Sequence, residues 1–264
     1  MSDTLHAEWT KLRTVAGPAW LLLGVVVLTI AVGAAVAGAT HCPPNLGPPH
    51  LSCPVDPVEL SLTGVQLGQA VVAILAVLMI SNEYSSGMIR TTLAAMPNRL
   101  LLLAAKAILL AALVLAAGAV AVFGSVLAAH LILPGHGFTA ARGFHPVWLS
   151  YGPALRAACG SVLYLGLIAL LSLGVAVVVR DPAVSIGVVL ALLYLFPVVL
   201  SFIGNEHWQH RFERWAPTIA GLNIQATTGL RGLAISPWGG LGVLGLWALG
   251  ALVLGGLVFR LRDA

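Results

Sequence analysis

The sequence predicts an all-α membrane protein with six transmembrane helices. Three observations predict it. The chain is 59% hydrophobic and only 8% charged, whereas a soluble domain carries roughly 25% charged residues. Its mean hydropathy is +0.99. Its apolar residues are gathered into six runs long enough to cross a bilayer, which takes roughly 20 residues. The runs are Pro18–Ala39, Gly64–Ile80, Leu101–Leu133, Pro153–Val179, Ala183–Gly204 and Trp238–Phe259. A membrane β-barrel would show alternating segments of about ten residues, which this chain lacks. Residues 1–264 therefore read as one transmembrane domain. This composition excludes a cytosolic enzyme, a nucleic-acid-binding domain and a disordered segment. The net charge of +4 then reflects loop residues that orient the spans rather than a nucleic-acid partner.

The first run is too long for the apolar region of a cleaved signal peptide, although Ala37-Gly38-Ala39 resembles a cleavage site. It reads as a retained helix. The third run would be about 50 Å long at 1.5 Å per residue, against a hydrocarbon core of about 30 Å. Lys106, near its start, is expected to snorkel to the headgroups. Orientation follows from the basic residues. The tail before the first run holds Lys11 and Arg13, whereas the loop 40–63 holds no Lys or Arg. This places both chain ends inside the cell.

Four segments between the runs are more than plain loops. In 1–17, Leu5, Trp9 and Leu12 share one helical face, beside Glu8, Lys11 and Arg13. An amphipathic helix on the inner membrane face is expected, with Ser2 or Asp3 as its cap. In 40–63, Cys42 and Cys53 stand among five prolines. An outer-face disulfide is chemically permitted, and the prolines restrict how freely the loop closes. Cys159, inside the fourth run, is expected to be a small buried apolar residue. His41 and His50 flank Cys42 in no known zinc spacing, so no metal site is assigned.

The inner segment 82–99 is polar, of helical length, and stopped by Pro97. Tyr84, Met88 and Leu93 lie broadly on one side, and Gly87 allows a bend or close approach. Packing on the membrane and packing on a soluble partner fit this pattern equally. In the outer segment 205–237, Trp208, Phe212 and Trp215 repeat at i, i+4 and i+7, as in an interfacial helix. The stretch after Pro217 is too polar to span. A re-entrant element buried against protein and a surface helix with a loose loop both remain open.

Catalytic signatures are missing from the sequence. Lys11 and Lys106 are followed by Leu12 and Ala107, so neither belongs to a phosphate-binding loop. No His-Glu-x-x-His or Gly-x-Ser-x-Gly occurs. No acidic residue lies deep within a span, which disfavours an ion-coupled carrier. No catalytic residue is assigned. The milder polar groups include Gln66 and Gln69, one turn apart near the outer end of the second run. They either line a path or hydrogen-bond across helices. His130 reads as an interfacial or packed histidine, and Asp181 as a local pair with Arg180.

At 82–99 the chain resembles the membrane subunits of bacterial type-2 ABC exporters. The residues that carry the resemblance are Glu8-Trp9-Thr10-Lys11-Leu12-Arg13, the stretch from Glu83 to Arg99 with its Gly87, Arg90 and Pro97, and Lys106. The outer Ala216-Pro217-Thr218-Ile219-Ala220-Gly221 is similar as well. The resemblance implies that 82–99 is a coupling helix docking on a separate ATPase. Glu83, Tyr84, Gly87, Arg90 and Thr91 would lie at that contact, with Met88 and Leu93 beside them. The helix holding Glu8, Trp9, Lys11 and Arg13 would flank the ATPase. Trp208, Phe212, Trp215 and Pro217 would belong to an extracellular gate.

The implied protein is a multi-pass permease of the bacterial plasma membrane. It would hold no cofactor itself, with ATP and magnesium on the ATPase. A second permease subunit is implied, most simply a second copy, with a related permease as the alternative. The cargo would be amphipathic or hydrophobic: a drug, antibiotic, peptide or lipid-like molecule. A non-transporting membrane anchor and an intramembrane lipid enzyme are the rival readings.

Overall fold

Apolar runs without interior proline fold as long helices because every backbone amide must find its partner within the segment. In a computed structural model, the described residues are 16–42, 55–85, 99–140, 144–145, 147–202 and 206–261. Among them every regular element is a helix. In order these are α1 (Ala16–Ala39), α2 (Pro57–Ser61), α3 (Gly64–Ser85), α4 (Arg99–Ile132), α5 (Gly152–Val179), α6 (Pro182–Leu190), α7 (Phe196–Ser201), α8 (Glu206–Trp215), α9 (Pro217–Leu222) and α10 (Pro237–Leu261). A π-helical turn, Ala191–Leu195, joins α6 to α7 into one fifth span. Pro197 follows that turn. It has no N–H to give, and its ring crowds the carbonyl four residues back, which accounts for the widened turn.

Six helices among the described residues are long and apolar enough to cross a membrane, by length and composition. They coincide with the six runs to within a few residues. Proline stands in the first turn of α2, α5, α6 and α9, where its missing N–H costs nothing. Two helices differ from expectation in extent. The fifth apolar window ends at Leu200, ahead of the expected Gly204. Helix α3 continues through Asn82–Ser85, because polarity alone does not end a helix and no breaker occurs before Gly87. Residues 1–15 and 86–98 lie outside the described residues, and with them Glu8, Trp9, Lys11, Arg13, Gly87, Met88, Arg90, Thr91 and Leu93.

Helix α5 is central and packs on α3, α4, α6 and α10, while α1 packs on α3 and α4. Accordingly 61% of the apolar windows of α3 and α5 is buried, against 22% for α1 and the fifth span and 28% for α10. In hydrocarbon, burying apolar side chains gives little drive for helix association, so close backbone packing must supply it. Glycines provide that approach at two crossings. A Cβ on Gly64 would lie 2.0 Å from the Thr29 carbonyl oxygen, and one on Gly68 would lie 2.4 Å from Thr29 Oγ1. These join α3 to α1 through a Gly-x-x-x-Gly face. A Cβ on Gly174 would lie 2.5 Å from the Ala251 carbonyl carbon, which sets the α5–α10 crossing.

Two expectations are overturned. Lys106 does not snorkel, for it is 1% exposed. It lies on the α4 stripe Leu102, Lys106, Leu110 and Val114, all buried, whose spacing of four faces one side of the helix. Cys159 is not buried; it is free and exposed. It shares its α5 face with exposed Leu155 and Leu163.

Gly174→Ala is expected to lower the heat-denaturation midpoint of the detergent-purified protein through overpacking, at a cost of about 1–3 kcal/mol. Gly187, whose Cβ would meet nothing within 4 Å, serves as control, and Gly187→Ala should leave the midpoint in place. Equal midpoints for the two variants would remove the proposed close crossing.

Candidate functional site

Polar contacts gather toward the end of the bundle opposite the chain termini. There α2 starts at Asp56, whose carboxylate accepts hydrogen bonds from Val58 N at 3.0 Å and Glu59 N at 3.4 Å. This is the N-cap an Asp-Pro pair supplies, with the side chain serving amides that have no partner within the helix. The same carboxylate reaches a distant segment. It accepts from Thr227 N at 2.5 Å, Thr227 Oγ1 at 2.8 Å and Thr228 N at 2.9 Å. Arg156 of α5 donates to the Ala226 carbonyl at 2.5 Å. The segment 226–228 is thus fastened to both α2 and α5.

The Glu59 carboxyl is raised above its usual value near 4.5, first by burial and second by the charge of Asp56. It protonates more readily in the folded chain than in an unfolded one.

A second polar group lies within the bundle. The Tyr164 hydroxyl donates to Gln69 Oε1, and the Tyr194 hydroxyl donates to the Gln66 carbonyl. Gln225 Nε2 donates to Ser161 Oγ at 3.1 Å. Of the two glutamines, Gln69 is buried and bonded across helices, whereas Gln66 is exposed. The Tyr164 ring rests against α9, since a Cβ on Gly221 would lie 2.7 Å from it.

Helices α8 and α9 reach deep along this bundle. Trp247 Nε1 donates to the Trp215 carbonyl at 3.0 Å, and Trp247 stands ten residues into α10, or about 15 Å at 1.5 Å per residue. A Cβ on Gly240 would lie 1.8 Å from the Ala220 carbonyl oxygen. Residues 215–221 therefore run back along the first half of α10. Pro217, Thr218, Ala220 and Gly221 are buried. Phe212 and Trp215 are exposed, and the side chain of Trp208 lies outside the described residues.

At the end bearing the termini, Tyr84 closes α3. The Arg180 guanidinium lies 5.3 Å above its ring, and the Phe259 ring meets it edge-on at 6.5 Å. Asp181 caps α6 by accepting from Val184 N at 2.8 Å. Arg180 adopts a left-handed backbone with φ of 66°, which a non-glycine residue takes up at some cost. The side chain of Glu83 lies outside the described residues.

Cys42 is disulfide-bonded, and Cys53 lies outside the described residues. His130 packs on Trp148 with ring centroids 4.6 Å apart. Sequence reading missed Arg156 and the Asp56 clasp, and it marked Tyr164 and Tyr194 only as polar groups within spans, without partners. The pair Asp56-Pro57 carried a signal for the cap, but nothing local signalled partners 171 residues away.

Taken together, six apolar helices define a multi-pass helical membrane protein. The chain matches no protein-family model and no curated protein.

Asp56→Ala is expected to free the Thr227 and Thr228 amides, seen as faster hydrogen exchange there, with a stability loss of about 1–3 kcal/mol. Unchanged exchange at both amides would remove the clasp. For Glu59, a folded pKa above the unfolded one means that the folded state binds the extra proton. Its contribution to stability is full below about 4.5 and is lost as pH rises through the raised value. Glu59→Gln should flatten the pH dependence of exchange in 57–61, and an unchanged profile would contradict the assignment.

Proposed function

We propose that this chain is the membrane-spanning subunit of a type-2 ABC exporter, carrying an amphipathic or hydrophobic molecule outward at the expense of ATP bound to a separate subunit. The observation that carries the reading is the run of α3 into the Glu83–Arg99 motif. Helix α3 is one of the two most buried spans and stays helical through Ser85. Its last turn is held by Tyr84 against Arg180 and Phe259. A displacement of the motif would therefore pass to the α5–α6 turn and to α10. Rigid packed helices transmit such movements between discrete arrangements.

In this reading the end bearing the termini faces the cytoplasm, and the motif is the coupling helix that docks on the ATPase. The buried return of 215–221 along α10 is a re-entrant element on the outer side, where it contributes to an extracellular gate. Gln69, bonded to Tyr164, stabilises helix contact beneath that gate. ATP and magnesium reside on the partner ATPase, and two membrane subunits enclose the path.

Purification of the tagged chain in mild detergent, with mass spectrometry of co-purifying proteins, tests this. A soluble ATPase is expected, and Glu83→Ala or Arg90→Glu should cut its recovery on the order of tenfold, the effect of about 1.4 kcal/mol. Recovery of the chain without an ATPase, under conditions that keep other membrane complexes intact, would favour a non-transporting anchor.

A further inference from the structure

We infer that the buried ammonium of Lys106 pairs with the carboxylate of Glu83, and that this pair positions the Glu83–Arg99 motif by fixing its first residue to α4. The pair itself stands without the export reading; its effect on a bound ATPase rests on that reading. An ammonium withdrawn from water requires an opposite charge, because an unpaired one is severely penalised. Lys106 is buried beside Leu102, Ala105 and Leu110 of its own helix, which are buried as well. Acidic residues are scarce in this chain. Between Glu59 and Asp181 the sequence holds one, Glu83. Glu59 belongs to the opposite end of the bundle, and Asp181 is exposed and caps α6.

Backbone placement brings Lys106 and Glu83 to one level. Ser125 Oγ of α4 donates to the Ser61 carbonyl at 2.6 Å, which sets α4 against the start of the second span. Lys106 lies 19 residues before Ser125, or about 28 Å along α4. The same distance from Ser61 toward the end of α3 reaches Ile80 and Ser81, both buried. Glu83 follows within one turn, inside the reach of a flexible four-carbon side chain. Position around the helix agrees. Val65, Gln69, Val72, Ala76 and Ile80 form a fully buried stripe of α3, and steps of three and four residues continue it to Glu83. This stripe and the Lys106 stripe meet the same central helix. Gln69 is bonded to Tyr164 of α5, and a Cβ on Gly118, four residues past Val114, would lie 3.3 Å from Leu165 of α5.

A buried pair adds little net stability, but removing one partner is costly because the other charge is left behind. Heat-denaturation midpoints of the detergent-purified full chain test the pair on that basis. Lys106→Met and Glu83→Gln are each expected to lower the midpoint by on the order of 10 °C. The double variant leaves no charge behind and should regain most of that loss. Additive losses would overturn the pair.

A second measurement on the unaltered chain covers the event that the single variants do not fold. Dicyclohexylcarbodiimide takes up the ammonium proton and the carboxylate to give an O-acylisourea. The freed Lys106 amine then attacks the Glu83 carbonyl carbon, an amide bond forms, and dicyclohexylurea leaves. Lys11 is the only other lysine, so peptide mass spectrometry assigns the bond directly. Coupling of Lys106 to another carboxylate, or to none, would overturn the pair.

Recovery of the ATPase separates positioning from bare stability. Lys106 lies outside the motif, yet Lys106→Met should lower ATPase co-purification as far as Glu83→Gln does, and Lys106→Arg, which keeps the charge, should retain it. Full recovery with Lys106→Met, or equal loss with Lys106→Arg, would overturn the positioning role. A chain that recovers no ATPase in any form would remove the export reading and leave the midpoints and the coupling to decide the pair.

Discussion

Close backbone contact between helices is the constraint on which this structure rests. Surrounded by hydrocarbon, two apolar helices gain little by burying leucine against leucine, so their association depends on how near their backbones come. At Gly174 the α5 backbone meets Ala251 of α10, and at Gly64 and Gly68 the α3 backbone meets Thr29 of α1. These crossings attach two of the three most exposed spans, α1 and α10, to the two most buried ones. They also decide where space is left. An apolar groove lies beside the Gly174 crossing, lined by Val175, Val178, Val188, Leu192 and Leu246.

Polar chemistry is distributed around this apolar frame with few groups. Tyr164 reaches Gln69 across helices, in a medium where an unpaired hydroxyl would be costly. Tyr84 receives the Arg180 guanidinium over its ring, a contact that gains strength where water is excluded. Each links elements far apart in sequence. The Tyr84 link sits at helix ends, and the Tyr164 link at the return of 215–221 along α10.

Much of the frame was legible in the sequence because length and hydropathy alone specify a span. The six runs and the short helix at Trp208–Trp215 needed no tertiary knowledge. Lys106 was misread because its charge was weighed without its position on the Leu102, Leu110 and Val114 stripe. Cys159 was misread for the converse reason: thiols are most often buried, yet its face of α5 is the Leu155 and Leu163 face. The polar Asn82–Ser85 was read as a separate segment, although the absence of a breaker before Gly87 allowed α3 to continue. The link from Asp56 to Thr227 had no local signature, since a threonine pair in a loop resembles many others. The Tyr164–Gln69 bond was half legible: Gln69 announced a polar need, but its partner depended on how α3 and α5 are placed.

The clasp at Asp56 has a topological consequence. Joining Asp56 to Thr227 and Thr228 ties the start of the second span to the stretch beyond the fifth. Spans two to five become a ring closed by hydrogen bonds, and α1 and α10 stand outside it as two arms. A long loop costs only slightly more entropy to close than a short one, so a single carboxylate suffices as the fastener. Loss of that fastener would leave every helix of the ring intact, with 226–228 still held to α5 by Arg156.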